Sequence, residues 1–311
     1  MNKIILILSS LLLSFSALAE SGRFLLDGME APVYYDASKS IEEGDPGRTV
    51  LILIHGWGSG LKANTGLLAV GESLGGIYAV CPCFPRPEVM EKMGVEPDGR
   101  ALWNASWSKD LSKRGNAGDD WRGAGDAEGT AMSSFDVIDA ILAKLADRTL
   151  YPNLKRVVIS GFSAGGQFVG RYVAVGKGFV RDGVKVEYAA MSPSTQFRFD
   201  PEMPWHYGIA DRPRYSRSLT ERQIMKNLTT RRVFCGCGDK DVTPGSLDVT
   251  PEAMSQGANR FERYLSFKRH VEAWPRWKRN LTFHTFEGIA HESGKAYKDP
   301  VLIKYLKGDR P

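Results

Sequence analysis

The sequence predicts a mostly parallel α/β fold, because continuous apolar runs alternate with helical segments. Runs such as Thr49–Ile54 and Arg156–Ser160 are typical of strands that are buried on both faces, as in a parallel sheet. Between them, Ser134–Leu145 carries apolar residues at helical spacing. Alternation of this kind indicates βαβ units, and no linker divides the chain, so we expect a single domain.

The individual elements follow from the same patterns. The predicted strands are Phe24–Asp27, Val33–Asp36, Thr49–Ile54, Ile77–Cys81, Arg156–Ser160, Val184–Ala190, Arg232–Cys237 and Leu281–Phe286. The predicted helices are Ser134–Leu145, Gly166–Ala174 and Ser255–Trp274. Pro82–Thr130 and Ser194–Thr230 are too long for simple connections, so we expect both around a substrate cleft. The aromatic residues at 197–215 suggest that 194–230 is a cap or insert, and that part of the substrate is apolar or aromatic.

Residues 1–19 have the composition of a secretory signal peptide. Lys3 precedes an apolar run from Ile4 to Leu13, and Ala17 and Ala19 are the small residues that a signal peptidase recognises. The alternative is a retained membrane anchor. No later segment is long and apolar enough for a transmembrane helix, so we expect residues 20–311 to be a secreted or periplasmic domain without stable membrane insertion.

The composition argues against several partners. A net charge of +5 is mild, and no nucleic-acid-binding motif accompanies it, so we expect no nucleic acid partner. Two C-x-C pairs, Cys81/Cys83 and Cys235/Cys237, could form disulfides in an oxidising compartment, and the sequence leaves all three connectivities open. No histidine lies at zinc-ligand spacing from either pair, so we expect no metal.

Two segments match the nucleophile motif G-x-S-x-G, one around Ser163 and the other around Ser73. The motif functions when its serine lies on a tight turn between a strand and a helix. Ser163 follows a β-branched run and precedes a predicted helix, whereas Ser73 has a helix before it and a strand after it. We therefore predict Ser163 as the nucleophile and place Ser73 near the end of a helix.

A serine nucleophile requires a general base, and on this kind of strand–turn–helix scaffold the base follows an acid along the chain. The candidates are the five histidines His55, His206, His270, His284 and His291. We predict His291, because it follows the last strand, and expect His55 to support a loop. The acid should follow the preceding strand, where Asp239 and Asp241 compete; we favour Asp241, with Asp239 in the turn.

Stabilisation of an oxyanion requires two backbone N–H donors. We expect one from Ala164, the residue after the nucleophile, and one from the loop after Thr49–Ile54. Trp57 is the preferred second donor and Gly58 the alternative.

Together these motifs, in this order, resemble the α/β-hydrolase superfamily over nearly the whole chain after residue 19. The closer resemblance is to secreted serine esterases related to polyester depolymerase-type and feruloyl esterase-type hydrolases. It rests on Ser133–Asp139, Val157–Phe168 and Gln256–Arg260. One departure is Phe162, where many members carry histidine, which changes the expected lining of the cleft.

The resemblance implies hydrolysis of a small-molecule or polymeric carboxylic ester through an acyl-serine, without a cofactor. Two alternatives stay open from the sequence: an amide or peptide hydrolase with the same triad, and a non-catalytic binding protein on the same fold. The oligomeric state and the natural substrate are not indicated by any motif.

Overall fold

The computed structural model describes residues 22–57, 64–96, 98–104, 120–245 and 247–308. Residues 1–19, the predicted signal peptide, lie outside this described part of the chain. The described residues form an eight-stranded sheet with a hydrophobic core and helices on each of its faces. None of the described helices has both the length and the apolar character needed to cross a membrane.

The elements are numbered here in chain order. The strands are β1 (Gly22–Leu26), β2 (Val33–Ala37), β3 (Thr49–Ile54), β4 (Tyr78–Pro82), β5 (Arg156–Phe162), β6 (Lys185–Met191), β7 (Val233–Gly238) and β8 (Leu281–Phe286). The helices are α1 (Thr65–Ser73), α2 (Pro87–Met93), α3 (Ser134–Lys144), α4 (Ala164–Val175), α5 (Glu221–Thr230), α6 (Pro251–Met254), α7 (Arg260–His270), α8 (Pro275–Lys278), α9 (Ser293–Ala296) and α10 (Pro300–Lys307). Each predicted strand is present, with ends shifted by at most two residues.

The sheet is parallel except at one edge. Its strand order is β1-β2-β4-β3-β5-β6-β7-β8, and its antiparallel pairs are β1–β2 and β2–β4, because β2 runs opposite to the other strands. In register, Ile54 at the end of β3 pairs with Gly161 of β5, and Phe162 pairs with Met191 at the end of β6. The carboxyl ends of the central strands therefore meet at one edge, and the loops that follow them lie together.

The prediction of a single helix over Ser255–Trp274 is wrong. The structure has the short helix α6 before this segment and begins α7 only at Arg260. Gly257 has φ +146°, a conformation outside the helical range, and the Asn259 side chain caps α7 by accepting from the N–H of Glu262. The glycine and the cap together separate the two helices.

Aromatic side chains of residues 194–230 pack into the core instead of lining the cavity beside Ser163. Phe197 and Trp205 are buried in the main core cluster, and the indole N–H of Trp205 donates to the carbonyl of Gly123 at 2.7 Å. No described residue of 194–230 lines the cavity beside Ser163. The aromatic cleft lining suggested by the sequence is therefore wrong for these residues. The division into one domain with an insert at 194–230 stays a prediction.

Helix α4 lies in close contact with the carboxyl end of β3. A Cβ atom added at Gly165 would lie 2.3 Å from the carbonyl oxygen of Ile54 and 2.9 Å from that of His55. Since these neighbours are backbone atoms, they could make room only by moving the strand end or the helix. Glycine at this position thus sets the distance between the start of α4 and the loop after β3.

This contact predicts opposite effects of the same substitution at two positions of α4. Gly165→Ala should lower the free energy of unfolding by about 3 kcal/mol or more, through strain against backbone. Gly170→Ala is the matched control, because nothing lies within 4 Å of its added Cβ; it should raise stability by up to about 1 kcal/mol. Urea unfolding monitored by circular dichroism measures both, and equal effects would contradict the close-contact argument.

Candidate active site

Ser163 lies on the turn between β5 and α4, with φ +60° and ψ −118°. This conformation is strained for a residue with a side chain, and the flanking glycines make room for it. A Cβ at Gly161 would lie 2.4 Å from backbone atoms of Gly165. The N–H of Ser163 donates to the carbonyl of Met191 at 2.9 Å, which ties the turn to the end of the neighbouring strand β6.

Ser73, the serine of the second motif, lies at the end of α1. Its hydroxyl donates to the carbonyl of Val70 at 2.8 Å, the bond of a serine that turns back onto its own helix. Gly75 and Gly76 follow with positive φ and end the helix. The structure therefore places Ser73 where the sequence indicates, without a base within hydrogen-bonding distance among the described residues.

Two hydrogen bonds join three residues that are far apart in the sequence. His291 Nε2 lies 2.9 Å from Ser163 Oγ, and His291 Nδ1 lies 2.7 Å from Asp241 Oδ2. Asp241 is fully buried, whereas His291 is partly exposed. The two hydrogen bonds thus connect a buried carboxylate to an imidazole and the imidazole to a serine hydroxyl, which is the order that a serine nucleophile requires.

Asp239 makes contacts of a different kind. Its Oδ1 accepts the N–H of Gly288 at 2.7 Å, and Oδ2 pairs with Lys240 on the surface. These contacts hold the β7 turn against the turn after β8. Between the two competing carboxylates, the structure brings Asp241 to His291 and leaves Asp239 in the turn.

Residues at the start of α7 contact Asp241 and fix the loop that carries it. The N–H of Phe261 donates to the backbone carbonyl of Asp241 at 3.2 Å, and Arg260 Nη1 lies 3.6 Å from Asp241 Oδ1. Burial lowers the pKa of Arg260, and the Asp241 carboxylate opposes that shift. Arg260 thus brings a buried positive charge to the carboxylate oxygen that His291 does not contact. The sequence motif contains Arg260, but nothing in its local pattern predicts this contact.

His55 is a buried loop support, as the sequence suggests. Its Nε2 accepts the N–H of Phe84 at 3.0 Å, which leaves the ring proton on Nδ1, where it donates to the carbonyl of Gly56 at 2.7 Å. The Gly56 carbonyl belongs to the same planar peptide as the N–H of Trp57. His55 therefore fixes the orientation of the peptide that carries the predicted oxyanion donor.

Two guanidinium groups enclose the Trp57 ring. The Cζ atoms of Arg86 and Arg122 lie 3.9 Å and 4.8 Å from the ring centroid, and Arg86 also donates to the Trp57 carbonyl at 3.2 Å. These contacts combine cation–π attraction with a hydrogen bond to the loop backbone. Gly58, the alternative donor, lies outside the described residues.

Arg122 connects this loop to α4. It is almost fully buried, forms a multiple hydrogen-bonded pair with Asp120, and donates to Gln167 Oε1 at 3.1 Å. Gln167 closes the first turn of α4, because its N–H donates to the carbonyl of Ser163 at 3.0 Å. Burial alone would raise the pKa of Asp120, but the charge of Arg122 outweighs it and lowers that pKa. Asp120 thus stays ionised and keeps Arg122 paired.

A cavity of about 720 Å³ opens beside Ser163. Its lining includes Trp57, Phe162, Ser163 and His291, and Phe162 packs on the His291 ring with centroids 4.8 Å apart. The other described lining residues include Leu67, Val70 and Ser73 of α1, together with Ser293, Tyr297 and Lys298. A mostly apolar lining with a few polar groups is typical of a small-molecule site.

The remaining predictions concern cysteines and metals. All four cysteines are buried free thiols, so the structure contains none of the disulfides that the sequence allows. One pair lies at the end of β4, with Cys83 just beyond the strand, and the other lies on β7; three strands separate them, too far for a bond between the pairs. Among the described residues, no group of three or more His, Cys, Asp or Glu could hold a metal ion.

Comparisons with known proteins give structural neighbours only. No protein-family model matches the sequence, and a search of the curated proteins finds no match. Poly(aspartic acid) hydrolase-1 from Sphingomonas sp. KT-1 is 20% identical, with a TM-score of 0.63 over 89% of this chain and 97% of that one. A poly(3-hydroxybutyrate) depolymerase from Bordetella parapertussis is 18% identical, with a TM-score of 0.65 over 94% and 92%. The chain therefore has the α/β-hydrolase fold that the sequence predicts.

The buried ring of His55 predicts acid sensitivity. Burial lowers the pKa of His55 to about 4, whereas an unfolded histidine titrates near about 6.5. The unfolded chain therefore binds an extra proton between these values, and stability falls by about 3 kcal/mol as pH drops through that window. His55→Gln should flatten this dependence, as measured by urea unfolding from pH 7 to pH 4. Parallel curves for both proteins would contradict it.

Proposed function

We propose that this protein is a serine hydrolase that cleaves carboxylic esters through an acyl-serine intermediate. The observation that carries the proposal is the pair of hydrogen bonds from Asp241 to His291 and from His291 to Ser163. The strained turn at Ser163 supports it, since such strain is found where a side chain must be presented to a substrate.

In the proposed acylation step, His291 Nε2 takes the proton of Ser163 as the hydroxyl oxygen attacks the ester carbonyl. Asp241 keeps the other ring proton on Nδ1 and stabilises the imidazolium that forms. His291 then gives its proton to the leaving alcohol, and the acyl group stays on Ser163. A water molecule, deprotonated by His291 in turn, releases the acid and restores the serine.

We assign the oxyanion to the N–H groups of Trp57 and Ala164. Ala164 begins α4, and the first amides of a helix have no acceptor within it. Trp57 lines the same cavity as Ser163, and His55 fixes the peptide that carries its N–H. Each such donor contributes about 3 kcal/mol to transition-state stabilisation when it points at the developing charge.

The mostly apolar lining of the cavity favours an ester with an apolar segment next to the scissile bond. The names of the two structural neighbours refer to polymers, so a polymeric ester belongs to the proposed substrates along with small molecules. Residues 1–19 are proposed to direct secretion, or export to the periplasm, and to be removed. Residues 20–311 are then the working domain, with an insert at 194–230.

The direct test compares wild type with Ser163→Ala and Ser73→Ala on short 4-nitrophenyl esters. Loss of the nucleophile should lower kcat by about 10⁶-fold. Ser73→Ala is the control, because it removes the serine of the other motif from the wall of the same cavity and should retain the ability to form the acyl-enzyme. Equal rates for wild type and Ser163→Ala would remove Ser163 from the reaction.

The two aspartates offer a matched pair for the proposed acid. Asp241→Asn should lower kcat by about 10⁴-fold, since the amide favours the wrong imidazole tautomer. Asp239→Asn, on the same turn, should keep kcat within about twofold of the wild-type value, because the Asp239 carboxylate contacts the N–H of Gly288 and Lys240 and not His291. Steady-state kinetics on one ester measures both variants. A larger loss for Asp239→Asn than for Asp241→Asn would reverse the assignment.

A further inference from the structure

Among the described residues that line the cavity beside Ser163, positive charge is not matched by negative charge. Besides His291, Lys298 is the only described lining residue that can carry charge, and no described lining residue is a carboxylate. Lys298 is exposed and follows α9. The same cavity is lined by apolar side chains such as Leu67 and Val70, which offer an ammonium group no partner.

The carboxylates that are nearest to Lys298 in the chain are engaged elsewhere. Glu292 pairs with Lys295 at 2.7 Å. Asp299 lies 3.1 Å from His284 Nε2 and caps α10 by accepting the N–H of Val301 at 2.8 Å. Within the described part of the chain, no carboxylate lies within ion-pair distance of the Lys298 ammonium. Among the described residues, the Lys298 ammonium is therefore left without an ion-pair partner beside the cavity.

We propose that Lys298 binds a carboxylate of the substrate, so that the enzyme selects esters whose acyl or alcohol part carries an anionic carboxylate. This inference rests on the proposed ester hydrolysis and names its substrate class. A flexible lysine stem suits the task, because its charge acts as a point that can reach a carboxylate at various positions in the cavity. The apolar segment of the ester would then contact Leu67, Val70 and Phe162 on the way to Ser163.

The test uses pairs of esters that differ in one charge. The acyl pair is mono-4-nitrophenyl adipate and 4-nitrophenyl hexanoate, which have the same chain length; the alcohol pair is 4-carboxyphenyl acetate and 4-methylphenyl acetate. The measured quantity is the ratio of kcat/KM within each pair, after subtraction of spontaneous hydrolysis. The enzymes are wild type, Lys298→Met, Lys298→Glu, Lys298→Arg, the control Lys295→Met, and Ser163→Ala to identify hydrolysis that depends on Ser163.

In at least one pair, Lys298→Met should lower the preference for the anionic ester by about fivefold, and Lys298→Glu by about a further fivefold. The change should be mainly in KM, since the contact exists before and during the reaction. Lys298→Arg should keep most of the preference, and added salt should reduce it. Lys295→Met should retain the wild-type ratio, because Lys295 lies outside the cavity lining and pairs with Glu292.

A failure of the proposed role of Lys298 and a failure of the proposed ester hydrolysis give different results. Unchanged ratios in both pairs for Lys298→Met and Lys298→Glu, in an enzyme that hydrolyses the neutral esters, would overturn the role of Lys298 alone. Absence of Ser163-dependent hydrolysis for all four esters would overturn the proposed function, and the substrate class with it.

Discussion

The register of the parallel sheet is the constraint on which the site depends. Because β3, β5, β6, β7 and β8 end at one edge, the turns that carry Ser163, Asp241 and His291 lie side by side although they are far apart in the chain. The close approach of α4 to β3 at Gly165 then fixes how the Ser163 turn meets the Trp57 loop. A shift of one strand by a residue would turn its side chains to the opposite face and separate these groups.

Buried arginines stabilise the loops that the sheet brings together at the site. Arg260 lies behind Asp241, Arg86 and Arg122 enclose Trp57, and Arg122 reaches α4 through Gln167. A buried guanidinium is costly unless its donors are satisfied, and Arg122 meets this condition with Asp120 and Gln167. Such groups hold their neighbours in one geometry, which a preorganised site requires. The loop that carries the proposed oxyanion donor is thus connected to the helix that begins after Ser163.

The sequence predicts the strands, the Ser163 turn and the positions after β7 and β8 because these depend on local patterns: apolar runs, glycines and chain order. The sequence does not predict the contacts of the buried arginines, since Arg122 and Gln167 are 45 residues apart and arginine is usually a surface residue. It also misplaces the aromatic residues near Trp205, because composition does not tell a side chain in the core from one in a cleft. The start of α7 depends on Gly257 and on the Asn259 cap, two local signals that the prediction of one helix over Ser255–Trp274 does not use.

The central claim is that Ser163 is the reacting oxygen and that its turn faces two backbone donors. A crystal structure of the protein after reaction with a fluorophosphonate tests this most directly, because the adduct mimics the tetrahedral intermediate. The account predicts phosphorus bonded to Ser163 Oγ, with one phosphoryl oxygen about 2.7–3.1 Å from the N–H groups of Trp57 and Ala164. An adduct on another residue, or a phosphoryl oxygen that faces solvent while these N–H groups point elsewhere, would contradict it.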